Sequence, residues 1–243
     1  MMQYYQNPKD INVETIKNDY SRMMEIIDWT DDIMLIGGEP FLYGQLREIV
    51  EYIFHEKNTS EKVGVIRIVT NGTIIPSEDI FETFSKCNVH VLISNYGHRS
   101  RNINKLIDEL VKHNINYAVQ DTTQWCDVEQ YVDGIEEAND INFIKNKIDD
   151  CITLCRTIDS GKFYMCAHLK SLNDLQALPS EIPKCYIDIY ESNVKESLLK
   201  YLKRDVHYFK ACAWCNGCSK DMWDGMKISV AEQTSKPLEY VKY

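Results

Sequence analysis

Two groups of residues have the types and spacing to do chemistry. The first is Cys212-Ala213-Trp214-Cys215-Asn216-Gly217-Cys218, three thiols at two-residue gaps. Far upstream, Cys151 is followed by nine residues, Gly161, four residues and Cys166, with Cys155 inside that stretch. Thiolates this close in sequence can converge from one loop on a metal centre, as in the ligand runs of ferredoxins, although the terminal Cys-Pro of those runs is absent here. The second group is Gly37-Gly38-Glu39-Pro40, directly after the apolar run Ile33 to Ile36. Glycines leave the backbone bare, so a ligand can approach its carbonyls and amides closely. Glu39 adds a carboxylate able to accept hydrogen bonds from an ammonium group, and Pro40 biases Glu39 toward an extended backbone. Together these suit the amino-acid end of a zwitterion. A plain strand-to-helix turn with a solvated glutamate is the bland alternative.

The thiols have alternatives too. The chain holds nine cysteines, seven of them from Cys151 onward, with Cys87 and Cys126 apart. An odd total in a chain read as cytoplasmic points to metal rather than to paired disulfides. Four thiolates suit a structural zinc as well as an iron–sulfur cluster, and spacing alone leaves both open. Buried cysteines acting as small apolar residues are a third reading.

The elements that must position these groups follow from periodicity. Helices are predicted over Val13 to Ile27, Gly44 to His55, Pro76 to Ser85 and Asn102 to Lys112; strands over Ile33 to Ile36, Val63 to Val69, Val89 to Ile93 and Ile115 to Val119. Alternating strands and helices with short connections imply an α/β fold with a parallel sheet. Parallel strands carry all their C-terminal ends on one rim, where such folds place ligands. Gly37-Gly38-Glu39, Thr70-Asn71-Gly72 and Ser94-Asn95-Tyr96-Gly97 therefore share a rim. The hydroxyls and amides of Thr70, Asn71, Ser94 and Asn95 can read ribose or carboxylate oxygens, or simply form turns. Residues 1–121 are read as the sheet domain, 122–150 as an acidic, irregular junction, 151–224 as a small cysteine-rich domain and 225–243 as a tail.

Composition narrows the partners. A hydrophobic content of 44% and charged content of 26% are those of an ordinary globular chain of 243 residues. A net charge of -10 disfavours non-specific binding to nucleic acid or to an anionic membrane. No apolar run approaches a membrane span, and the N-terminus does not read as a secretory signal, so a cytoplasmic protein is expected.

The order of Ile33-Met34-Leu35-Ile36-Gly37-Gly38-Glu39-Pro40, then Ile66-Arg67-Ile68-Val69-Thr70-Asn71-Gly72, then Val91-Leu92-Ile93-Ser94-Asn95-Tyr96-Gly97 resembles the radical S-adenosylmethionine (SAM) enzymes. The resemblance runs from about Val13 to Val119. It implies a partial (βα)6-type parallel barrel lacking its first strand. It also implies that Gly37, Gly38 and Glu39 hold the methionyl ammonium of SAM, with Thr70, Asn71, Ser94 and Asn95 toward its carboxylate and ribose. The cysteine pattern is similar to the auxiliary-cluster domains called SPASM and twitch, the single-cluster twitch form fitting better. That implies a [4Fe–4S] cluster on Cys166, Cys212 and Cys215, with Cys151, Cys155 or Cys218 supplying a further ligand.

The family's defining Cys-x-x-x-Cys-x-x-Cys loop is absent: residues 1 to 36 contain no cysteine. A full-length parent is expected to carry it, to chelate SAM on a second [4Fe–4S] cluster fed by an electron donor, and to make a 5′-deoxyadenosyl radical. The substrate implied is a peptide, a sugar or a small metabolite, and no catalytic side chain can be named. The chain as given is expected to be truncated or to have lost the chemistry, and to be inactive alone. A zinc- or iron–sulfur-stabilised binding module that is no enzyme is the competing expectation.

Overall fold

A computed structural model describes residues 4–126, 128, 134–152, 155–218, 227–230 and 236–243. The chain divides into two compact units, Asp10–Thr123 and Met1–Lys9 with Gln124–Tyr243.

In the first unit, α1 (Val13–Ile26) is followed by β1 (Thr30–Leu35), α2 (Leu46–Ser60), β2 (Val63–Thr70), α3 (Glu78–Lys86), β3 (His90–Asn95), α4 (Ile103–Lys112) and β4 (Tyr117–Asp121). Asn12 caps α1 by accepting from the Glu14 amide at 2.9 Å, which satisfies a donor the helix leaves open. α2 ends where Glu61 turns left-handed at φ 55°. The four strands form one sheet in the order β1-β2-β3-β4, every neighbour parallel. Right-handed crossovers that always step the same way place their helices on one face of the sheet.

Burial follows that geometry. Ile66, Ile68 and Thr70 of β2 and Val91 and Ile93 of β3 are buried, as are Ile49, Val50 and Ile53 of α2, Phe81 and Phe84 of α3, and Leu106 and Leu110 of α4. The alternate residues are not. Arg67 and Val69 are half-buried, and Met34 and Ile36 are exposed. Arg67 donates from Nε to Asp32 Oδ2 at 3.1 Å on this second face, in register with Met34 and His90. The architecture is thus α/β with a four-stranded parallel sheet, its end strands β1 and β4 among the described residues, and compatible with part of an α/β barrel.

β1 and β2 meet tightly at Gly64, where an added Cβ would lie 2.4 Å from the Asp31 carbonyl oxygen. A backbone atom cannot swing away as a side chain can. Gly64→Ala is expected to cost about 2–3 kcal/mol, the range of overpacking, read as a lower midpoint in urea unfolding with an unchanged slope.

The second unit has three small layers. β5 (Gln124–Cys126) pairs antiparallel with β9 (Lys227–Ser229). α5 (Ile135–Asn139) and α6 (Ile141–Asp150) come next. β6 (Thr157–Asp159), β7 (Lys162–Tyr164) and β8 (Ile187–Asp188) then form an antiparallel sheet, with α7 (Ala167–Asp174) and α8 (Val194–Leu202) around it. The β6–β7 hairpin turns through Ser160 at φ 50° and Gly161 at φ 77°, the two left-handed residues that a tight hairpin requires. Tyr201 is fully buried, stacks on Phe209 at 4.9 Å and donates to the Cys185 carbonyl at 2.7 Å. The end of the tail is tied down: the Tyr240 hydroxyl donates to Leu175 O at 2.9 Å and the Tyr243 amide to Gln176 O at 3.1 Å.

One expectation needs correction. The stretch read as an irregular junction carries α5 and α6. Three of its acids are helix-start residues: Glu136 and Glu137 sit in the first turn of α5, and Asp140 caps α6 by accepting from the amides of Asn142 and Phe143. Residues 219–226 and 231–235, parts of the expected cysteine-rich domain and tail, lie outside the described residues.

Among the described residues, no helix is long and apolar enough to cross a membrane.

Candidate functional site

The rim of the parallel sheet is built around one carboxylate. β1 runs out at Leu35, and a turn of 3-10 helix over Pro40–Leu42 follows, capped by Glu39 itself through the Phe41 amide at 3.2 Å. The same carboxylate reaches the next strand tip. Its Oε1 accepts from the Thr70 hydroxyl at 2.8 Å, and its Oε2 accepts from the Asn71 amide at 2.9 Å. Thr70 is buried, so its hydroxyl is held in place, and it accepts in turn from the Gly72 amide at 3.3 Å. An ionised carboxylate has about four lone-pair positions. Three protein donors occupy them here, which leaves about one for a ligand cation. At Gly37 an added Cβ would meet nothing within 4 Å, so the backbone beside Glu39 is open; Gly38 is exposed.

The other tips are placed differently. The Asn71 side chain folds into its own turn, accepting from the Thr73 amide and hydroxyl at 2.9 and 2.5 Å. Asn95 turns toward β4, donating to Asp121 Oδ1 at 2.7 Å and accepting from the Gly97 amide at 3.0 Å. Ser94 is half-buried, and its carbonyl lies 3.2 Å from the Ser100 hydroxyl. Ser100 is the residue that sequence reasoning missed. It is buried, donates to Asn71 O at 2.6 Å and accepts from the Tyr96 amide at 2.9 Å, so it welds the second tip to the third. Nothing in the local pattern around His98-Arg99-Ser100-Arg101 marks it, because its partners come from two other tips. Glu39, Thr70 and the Asn71 backbone are therefore brought together, while Asn95 is engaged elsewhere.

Four thiols of the second unit, Cys151, Cys166, Cys185 and Cys215, act on Cys212. Cys212 sits in a turn of 3-10 helix over Lys210–Trp214, packed against α5, α6 and α7. Gly134, which starts α5, comes so close to that turn that a Cβ there would lie 2.9 Å from Ala213 O. Burial pushes the Cys212 thiol well up, and the neighbouring sulfurs of Cys166, Cys215, Cys151 and Cys185 raise it further. Cys166 is the N-cap of α7. Burial pushes it up to about 12, against the opposing pull of the Leu169 and His168 amides, with Cys215 and Cys151 adding to the rise. Cys151 and Cys215 thus act on both Cys166 and Cys212.

Backbone ties hold the segments in place. Arg204 donates to Ile148 O, and to Cys151 O at 3.3 Å, fixing the end of α6 where Cys151 begins. The Ile152 amide donates to Cys218 O at 2.8 Å, and the Gly217 amide, at φ 100°, donates to Cys215 Sγ at 3.2 Å. The remaining cysteines differ. Cys155 is exposed. Cys185 is buried and donates to Leu169 O at 3.6 Å, while Cys87 is buried in the first unit at the end of α3.

The donor set is one of thiols, the ligand type that zinc and iron–sulfur centres share. Zinc–thiolate bonds of about 2.3 Å place tetrahedral sulfurs about 3.8 Å apart. Among the described residues, no three thiols lie within 4.8 Å of one another. A polynuclear cluster holds its thiolates farther apart than one ion does. The indole N–H of Trp214, between Cys212 and Cys215, is buried and has no hydrogen-bond partner among the described residues. A buried orphan donor costs about 1–3 kcal/mol.

Compared with known proteins, the sequence matches no family model and no curated protein.

Proposed function

We propose that the chain is a radical SAM-type protein with a rim for the amino-acid end of SAM and an auxiliary iron–sulfur centre. The observation that carries this reading is the Glu39 carboxylate, fixed by Thr70 and Asn71 beside the open backbone of Gly37. Glu39 and the bare carbonyls of Gly37 and Gly38 would hold the methionyl ammonium. Thr70 and the Asn71 amide would keep that carboxylate aimed, because each donates a hydrogen bond to it. The partial barrel extends the observed parallel sheet, whose second face carries Met34, Val69, Leu92 and the Asp32–Arg67 pair. SAM, when bound together with a reduced cluster, supplies a carbon-centred radical for hydrogen abstraction from a substrate.

In the second unit, Cys166, Cys212, Cys215 and Cys151 would hold the auxiliary cluster. The Gly217 amide stabilises the Cys215 sulfur, and the start of α7 favours the thiolate of Cys166. This assignment favours Cys151 over Cys155 as the upstream ligand, because Cys151 adds to the rise of the Cys166 and Cys212 thiols whereas Cys155 is exposed. The sequence holds no Cys-x-x-x-Cys-x-x-Cys run. Reductive cleavage of SAM by these 243 residues alone is therefore not part of the proposal. The competing reading is a zinc-stabilised binding module. Anaerobic purification with iron, sulfide and zinc analysis separates the two: iron with matching sulfide supports the cluster, and stoichiometric zinc without sulfide overturns it.

A further inference from the structure

We infer that Glu78, Glu109 and His113 form a divalent-cation site that staples the start of α3 to the end of α4, independent of the rim and of the thiols. Among the described residues this is the one group of at least three metal-ligating side chains whose donor atoms all lie within 4.8 Å of one another. Glu109 stands in the last turn of α4 and His113, four residues on, caps its end, while Glu78 opens α3. His113 Nε2 is 3.1 Å from Glu78 Oε1 and 3.7 Å from Glu109 Oε2. Zinc bonds to nitrogen and oxygen run about 2.0–2.2 Å, which sets tetrahedral donors about 3.4 Å apart. The two observed separations bracket that value.

A second observation points the same way. His113 Nε2 is buried and makes no hydrogen bond, although a carboxylate oxygen is 3.1 Å away. A cation between nitrogen and oxygens turns that misfit into ligation. The imidazole is held for it, stacked on Phe81 at 5.2 Å and 12°. Glu78 is exposed, so an ion can enter from solvent.

Charge sets both affinity and competition. Two carboxylates face one nearby cation, Lys112, whose Nζ is 2.8 Å from Glu109 Oε2 and 3.5 Å from Glu78 Oε1. Lys112 is itself exposed and free to swing into water when an ion arrives. One imidazole, two carboxylates and water suit zinc or a similar first-row ion. The alternative is a cluster of ion pairs around a protonated His113, with no metal role.

The test uses the full chain, stripped of metal, with zinc chloride as the only probe. The thiols of the second unit bind zinc as well, so the reading is a difference between chains. The wild type is expected to hold one zinc equivalent more than His113→Gln, and to gain a larger rise in Tm on adding zinc. Glu109→Gln should behave like His113→Gln, with far-UV circular dichroism confirming that both fold. Lys112→Ala, which removes the competing cation, should take up this equivalent at several-fold lower free zinc. Equal zinc content in all chains would overturn the site. So would a Lys112→Ala chain that loses Tm with no gain in zinc affinity, because that is the behaviour of ion pairs alone.

Discussion

Anaerobically reconstituted Cys212→Ser protein is expected to retain less than one iron and one sulfide per chain, against about four of each for the unaltered chain. Cys212 is the centre of the group: burial raises its pKa first, and then Cys166, Cys215, Cys151 and Cys185 do. A serine oxygen there is hard and stays protonated, so it neither matches iron–sulfur chemistry nor carries the charge a ligand needs. The neighbouring elements should suffer as well, since α5, α6 and α7 all pack on the turn that carries Cys212. A loss of fold alone would also lower the iron content, so two comparisons are needed. Cys155→Ser alters an exposed residue outside the group and should keep full iron and sulfide. Cys87→Ser places a hydroxyl in the core of the first unit; it should lower Tm yet leave the metal content intact. Loss of cluster in all three chains would mean that iron content follows folding rather than ligation.

The second large effect is expected at Glu39. Glu39→Gln keeps the shape but offers one acceptor oxygen where the carboxylate offers two. Its amide nitrogen must then face either the Phe41 N–H or the Asn71 N–H, and both backbone groups can only donate. The expected result is a loss of about 1–3 kcal/mol in stability, the cost of a buried donor left unsatisfied, measured by denaturant unfolding. Binding of a sulfonium amino acid should fall more than tenfold, since the ammonium loses its only fixed counter-charge on this tip. Thr70→Val separates the two roles: it removes a hydroxyl but leaves the carboxylate charged and still tied to the Asn71 amide. It should destabilise the sheet while keeping most of the binding. Equal binding by Glu39→Gln and the unaltered chain would remove Glu39 from any ligand site.

Much of the sheet was legible because apolar runs and turn residues alternate strongly. The run Val63 to Val69 became β2 over Val63–Thr70, and Val13 to Ile27 became α1 over Val13–Ile26. The shared rim followed from parallel topology alone. What could not be read was pairing across tips. Asn95 and Asp121 are far apart in sequence, as are Ser100 and Asn71, so no local pattern announces the bonds that take Asn95 away from the rim and make Ser100 its weld. The helices at 135–150 were missed for a different reason. Acidic composition alone reads as a junction, whereas Asp140 is a cap whose value depends on the amides of Asn142 and Phe143. In the second unit, Gly161 was legible as part of a spacing, and its left-handed turn gives that spacing a mechanical cause. The convergence of Cys151 with Cys212 depends on Arg204 and on the Cys218 carbonyl, neither of which sequence spacing identifies.

The central claim is that the Glu39 tip recognises the amino-acid end of a sulfonium nucleoside. Titration calorimetry tests it most directly, with S-adenosylmethionine compared against 5′-methylthioadenosine, which has the nucleoside but lacks the amino-acid end. The account predicts measurable, weak binding of the first and markedly weaker binding of the second, with the difference abolished by Glu39→Ala. Equal affinity for both compounds, or a preference that survives loss of Glu39, would contradict it.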